Sequence, residues 1–314
     1  MKELVKHLGL IPQQDPTVIS TVNKLRSLFI WMVLIIFLWH YHMVSFWCSV
    51  MSYSFPETSI NVKRKACSWF WDLTIYFMNL NGITYTISGD RINSESAVFL
   101  SNHQSLVDHL AVNYLARYSY FVNNDIEIPM VNFFTWFLIW KIPTLRILIN
   151  LAKNDENWEL DTSLAEIFFD KLLNSRKVEW LVLFPEVNIF TQESCYLQKL
   201  QSEKFYLPIF NNVLYPRFSS FFNVISMINS KNNYKFNNLY DLTIFYYKVN
   251  EDNEKTYFSP SLLEIFGSND KITINIDVKF KNLTRVSHNR PKLERWLEKD
   301  WIEKDNFLQQ NYQT

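Results

Sequence analysis

His103 and Asp108 stand five positions apart in the segment FLSNHQSLVD, directly after an apolar run. An imidazole held at one ring nitrogen by a carboxylate can take a proton at the other, which is the arrangement of a general base with its orienting acid. On one continuous helix, positions five apart lie about 140° apart around the axis and cannot meet. The chemistry therefore requires His103 outside a helix and Asp108 within its first turns. The flanking residues supply those elements. AVFL at 97–100 reads as a short buried strand, SLVDHLAVNYLAR at 105–117 carries apolar residues at helical spacing, and His103 falls in the turn between. Taken alone, the same spacing also describes a packing or capping histidine followed by a solvated helix carboxylate. Ser105, close to His103, reads as a helix cap rather than a nucleophile.

A second element lies further along. WLVLFPE at 180–186 is an apolar strand that ends abruptly in a proline and an acid. The two segments, in this order, resemble the first and third blocks of the glycerolipid acyltransferases, NHxxxxD and FPEG. The likeness continues through VLYPRF at 213–218, YDLTI at 240–244, PSLLEIF at 260–266 and WLEKDWIEKD at 296–305. It is similar to the lysocardiolipin and lysophosphatidic acid acyltransferase branch with its fungal relatives, from about Gly82 onward.

That resemblance implies a membrane-bound acyltransferase that moves an acyl chain from acyl-CoA to the hydroxyl of a lysophospholipid. No cofactor is implied, acyl-CoA being a co-substrate. His103 would take the hydroxyl proton, Asp108 would hold the ring, and no covalent nucleophile is needed; Cys195 is a nucleophile on paper alone. Phe184, Pro185 and Glu186 match the block assigned to the acceptor. Val187 stands where the family has Gly, and Ile189 where an Arg is common. A β-branched residue resists the positive φ that Gly permits, so the acceptor site is expected to be altered. The second block's basic residue is matched loosely by Lys153, and a family Lys has Asn123 or Asn124 in its place. Arg217, after Pro216, is a further candidate contact to the headgroup. The altered acceptor block leaves a second reading open, a weakly active or inactive lipid-binding relative.

The 31 basic and 31 acidic residues cancel, so no global field draws the chain to nucleic acid or anionic lipid. Headgroup recognition must then be local. Cys48, Cys67 and Cys195 form no CxxC pair and have no histidine at metal spacing, which implies free thiols and no metal.

Residues 28–50 (LFIWMVLIIFLWHYHMVSFWCSV) contain no Lys, Arg, Asp or Glu. At about 1.5 Å per residue this run crosses the roughly 30 Å hydrocarbon core. Basic residues flank it on both sides and leave its orientation open. The next apolar stretch, 66–80, is too short to span and repeats Trp69, Phe70, Leu73 and Phe77 at helical spacing, as an interfacial or re-entrant helix would. Residues 131–151, broken by Lys141, Pro143 and Arg146, read as a hydrophobic surface apposed to lipid. The polar, Asn-rich 229–238 reads as a mobile loop, and Asn282 opens an NxT sequon. Alternating strand and helix patterns predict an α/β fold with a mixed sheet flanked by helices. The expected organisation is a tail at 1–27, a transmembrane helix at 28–50, an interfacial or re-entrant helix region at 51–81 and an acyltransferase domain at 82–314. Partners are acyl-CoA, lysophospholipid and membrane lipid, and the expected location is the endoplasmic reticulum membrane.

Overall fold

The computed structural model describes residues 21–93, 95–125, 127–135, 138–141, 162–230, 235–249, 254–268, 270–287 and 289–313. Helices α1 (Thr21–Met51) and α2 (Pro56–Leu80) lead into β1 (Thr84–Gly89) and β2 (Ala97–Ser101). Then come α3 (Asp108–Asn123), β3 (Met130–Thr135), β4 (Leu138–Lys141), α4 (Thr162–Asn174) and β5 (Glu179–Leu183). After α5 (Gln192–Phe205) and α6 (Phe218–Ser230) follow β6 (Asn238–Val249), β7 (Lys255–Tyr257), α7 (Leu262–Gly267), β8 (Ile272–Asn282) and α8 (Arg290–Gln313).

The strands form one mixed sheet in the order β1-β8-β6-β2-β5-β3-β4, with β7 paired to β6. Its centre, β6-β2-β5-β3, is parallel, while β8 runs antiparallel to β6 and β4 antiparallel to β3. Parallel strands are covered on both faces, which is why AVFLS and EWLVL are buried at every position. Alternation divides their side chains. Phe99, Trp180, Val182, Leu242, Ile244 and Ile276 face one core, which α2, α3 and α7 help to close. Leu100, Leu181, Leu183, Leu239 and Phe245 face the other, under α4, α6 and α8. The expected mixed α/β sheet is thus the observed one.

Among the described residues, α1 is one helix long and apolar enough to cross a membrane, by length and composition. Ser27, Ile30, Leu34, Tyr41 and Cys48 form its buried stripe, and Phe29, Met32, Ile36, Trp39 and Phe46 stand exposed. The helix begins before residue 28, because Arg26 reaches the carbonyls of Gly267 and Ser268 at 3.0 and 2.9 Å and ties α1 to the end of α7. Helix α2 is longer than its apolar residues suggest. Its charged first half also winds, and the buried stripe is Cys67, Trp71, Thr74, Ile75 and Met78, with Trp69 exposed. Asp72, unexpected in an apolar stretch, bonds Arg117 of α3 at 2.5 Å.

Two expectations change. The start of 131–151 is a core strand: Val131, Phe133 and Phe134 are buried because β3 pairs with β5. The rest of that stretch beyond β4, like Lys153, lies outside the described residues. Around the Asn-rich segment, Lys235 donates to the carbonyls of Leu172 and Ser175 at 2.7 Å, and Phe236 is buried, so this flank is tethered. The Asn282 side chain accepts from the Thr284 amide at 2.9 Å and starts a short 3-10 turn.

Candidate active site

The site is assembled at the carboxyl end of β2. There the Asn102 side chain imitates one more strand residue. Its Nδ2 donates to the Ile244 carbonyl and its Oδ1 accepts from the Ile244 amide, both at 2.8 Å, extending the β2-β6 pairing past Ser101. The chain then turns. The His103 carbonyl accepts from the Phe190 amide at 2.7 Å, Gln104 donates to the Asn212 carbonyl at 2.7 Å, and Ser105 Oγ donates to the Pro260 carbonyl at 2.5 Å. Ser105 Oγ also accepts from the Val107 amide at 3.1 Å, so this serine serves the turn before the helix, close to its expected role.

Helix α3 opens at Asp108, as the chemistry required. Its Oδ2 accepts from His103 Nδ1 at 2.8 Å and from the Ser105 amide at 2.9 Å. Its Oδ1 accepts from the Tyr246 hydroxyl of β6. An ionised carboxylate only accepts, so the proton of neutral His103 sits on Nδ1. Among the described residues no hydrogen bond engages Nε2, which leaves its lone pair available. Burial, and next the charge of Asp108, pushes the Tyr246 hydroxyl well above the usual tyrosine range, so it remains a donor.

The His103 ring is held on its face as well. Phe184 stacks on it at 4.4 Å between centroids, and His109 meets it edge-on at 5.4 Å. His109, packed against Phe133 and Phe184, has its pKa lowered to about 3, first by burial and then by the charge of His103. It is a neutral spacer near neutral pH.

The second element arrives from β5, parallel to β2 and its direct neighbour. Pro185 offers its carbonyl to the Arg217 amide at 2.6 Å, which brings the Pro216-Arg217 segment beside the FPE turn. Glu186 is fully buried. It accepts from the Leu214 amide and from the Trp301 indole, both at 3.2 Å. Burial raises its pKa to about 8; those two hydrogen bonds, the Lys304 charge and the His103 amide oppose the rise. The carboxyl therefore braces the loop from below.

Val187 corrects an expectation. It adopts φ +67°, the left-handed conformation a glycine would take. The turn is fixed by its neighbours, with the Val187 amide donating to the Phe184 carbonyl at 2.9 Å and the Asn188 amide to the Glu186 carbonyl at 2.7 Å. The positive φ is thus adopted without a glycine, and what Val187 adds to the turn is a side chain. Ile189 is buried in the core with Phe184, so its place is not an open headgroup position. Asn123 bonds Arg91 at 2.7 Å, and Asn124 ends α3 at φ 53°; both are structural. Cys195 is buried, which raises its thiol pKa and suits it poorly to attack.

Sequence reading missed Asn102, Tyr246, His109 and Trp301. For Tyr246 a signal existed: strand alternation puts it on the face of Leu242 and Ile244, the face that carries α3.

No protein-family model matches this chain. It is 25% identical over 311 residues to a probable 1-acyl-sn-glycerol-3-phosphate acyltransferase 5 of Arabidopsis thaliana, covering 96% of this chain and 77% of that protein. It is 26% identical over 234 residues to 1-acyl-sn-glycerol-3-phosphate acyltransferase 3 of the same plant, and 24% over 238 to lysocardiolipin acyltransferase 1 of Gallus gallus. These matches cover 70% and 74% of this chain, but span 55% and 58% of the relatives' own lengths. A solved structure, the lysophosphatidic acid acyltransferase PlsC of Thermotoga maritima, aligns with 91% of this chain and 97% of its own at 13% identity and a TM-score of 0.47, a likeness too loose to add weight.

Proposed function

We propose, for a chain similar over nearly its whole length to 1-acyl-sn-glycerol-3-phosphate acyltransferases, a membrane-associated acyltransferase that uses acyl-CoA to acylate a lysophospholipid hydroxyl. The observation that carries this reading is the pairing of His103 Nδ1 with Asp108 at 2.8 Å, with Nε2 left open. Nε2 takes the proton of the acceptor hydroxyl as its oxygen attacks the thioester carbonyl. The tetrahedral intermediate then collapses, the carbon–sulfur bond breaks, and the proton on Nε2 passes to the departing CoA sulfur. Asp108 stabilises the imidazolium formed between the two steps, and Tyr246 and the Ser105 amide keep that carboxylate in place. No covalent enzyme intermediate is needed.

The altered acceptor block favours an acceptor other than a bare phosphomonoester, because the Val187 side chain crowds the approach to the turn and no guanidinium stands at Ile189. The inactive, lipid-binding reading loses part of its motive, since Val187 keeps the turn that glycine would make. The apolar face of α1 supports membrane residence, for which we propose the endoplasmic reticulum. Purified protein incubated with labelled acyl-CoA and a panel of lysophospholipids tests the reading. Labelled phospholipid from at least one acceptor is expected; transfer to none of them, by protein shown to be folded, would overturn it.

A further inference from the structure

A cavity of about 450 Å³ opens between α2, α3 and the start of β3. It lies at the opposite end of the strands from His103. Met130, which lines it, begins β3 opposite Glu179 at the start of β5, whereas His103 follows the end of β2, and the three strands are parallel. Along α3, Arg117 is nine positions beyond Asp108, about 14 Å at 1.5 Å per residue. The cavity is thus separate from the His103 site.

Its charged lining is Arg64, Lys65, Arg117 and Lys177 against Glu127. Further carboxylates reach these cations from outside the lining. Arg117 is well paired with Asp72 at 2.5 Å, and Lys177 with Glu127. Arg64 is not well served: with 15% of its side chain exposed, its contacts are 3.4 Å to Glu179, 3.4 Å to the Ile128 carbonyl and 3.9 Å to Glu127. Good N–H···O bonds cluster near 2.9 Å, and a guanidinium offers five donors. Lys65 has no ion pair among the described residues. Four cations thus face three carboxylates, Glu127, Glu179 and Asp72, which leaves one positive charge and an under-bonded guanidinium beside an open volume.

We propose that this cavity is a phosphate-binding site. A phosphate offers several oxygens, enough to satisfy the Arg64 fork while accepting from the Lys65 and Lys177 ammoniums. The volume leaves room for a group esterified to it. Two sources share this chemistry, a phospholipid headgroup and a soluble phosphate. The first is at hand, since Arg64 and Lys65 lie on the helix that follows the apolar α1, where a basic run meets headgroups.

The test uses the full chain in an uncharged detergent and needs no turnover. Thermal unfolding is followed with inorganic phosphate, with dihexanoyl phosphatidylglycerol, and with dihexanoylglycerol, which lacks phosphate. A Lys65→Gln/Lys177→Gln double variant avoids the Arg64–Glu179 pair and keeps the core intact. Stabilisation by phosphatidylglycerol, with apparent affinity at least tenfold weaker in the double variant, is the expected result. Stabilisation by inorganic phosphate as well assigns a soluble source, and by the lipid alone a headgroup. No shift with either phosphate, an equal shift with dihexanoylglycerol, or an unchanged affinity in the double variant would overturn the proposal.

Discussion

At the scale of the residue, the site is a chain of constraints ending on one nitrogen. Tyr246 and the Ser105 amide fix Asp108, Asp108 fixes Nδ1 of His103, and Phe184 fixes the ring plane. Tyr246→Phe removes a donor to a buried carboxylate, a loss of about 1.5–3 kcal/mol, or roughly 10- to 100-fold in rate where it acts on the transition state. We expect kcat to fall by that order with KM little changed, and an unaltered kcat would remove Tyr246 from the mechanism. Glu186 makes a second prediction. Its folded pKa of about 8 stands above its ordinary 4.5, so the folded state holds the proton more tightly. The corresponding stability is complete below the ordinary value and is lost as pH rises toward the folded one, by an amount on the order of a few kcal/mol. Thermal unfolding should therefore drop between pH 5 and pH 8.5 in the wild type, and less in Glu186→Gln; parallel profiles would show that this carboxyl is not held neutral. His103 and Asp108 were legible because five positions is local. For Tyr246 alternation gave only the face of its strand; its bond to Asp108, 138 residues away in sequence, was not legible, because pairing at that distance depends on strand order.

At the scale of the element, the turn after β5 shows tertiary structure overriding local preference. A left-handed β-branched residue costs about 1–2 kcal/mol, and a glycine there forfeits roughly 0.5–1 kcal/mol of chain entropy. Val187→Gly should therefore unfold at the wild-type temperature or slightly above it. A clear destabilisation would mean that the valine side chain contributes packing that outweighs its strain. Nothing in the string FPEV announced a positive φ; the turn's hydrogen bonds and the buried Glu186 impose it. Helix α2 teaches the reverse lesson. Its apolar residues were legible as helical, but the partners that Arg64 and Asp72 find on β5 and α3 were not, because no local pattern reveals them.

At the scale of the whole molecule, the mixed sheet was readable from its buried runs, since parallel strands covered on both faces leave unbroken apolar stretches. The division into two cores required the register. Helix α1 carries both an inward stripe and an exposed apolar face, so the intact chain should remain with membranes through alkaline carbonate. Release of most of the protein would mean that α1 lies on the bilayer rather than in it. The central claim, that His103 is the base in an acyl transfer, is tested most directly by comparing turnover from acyl-CoA to lysophospholipid in wild type and His103→Ala, both shown to be folded. A positioned acid–base group supplies about 10²- to 10⁴-fold, so a loss of at least that order is predicted; equal turnover in the two proteins would contradict the account.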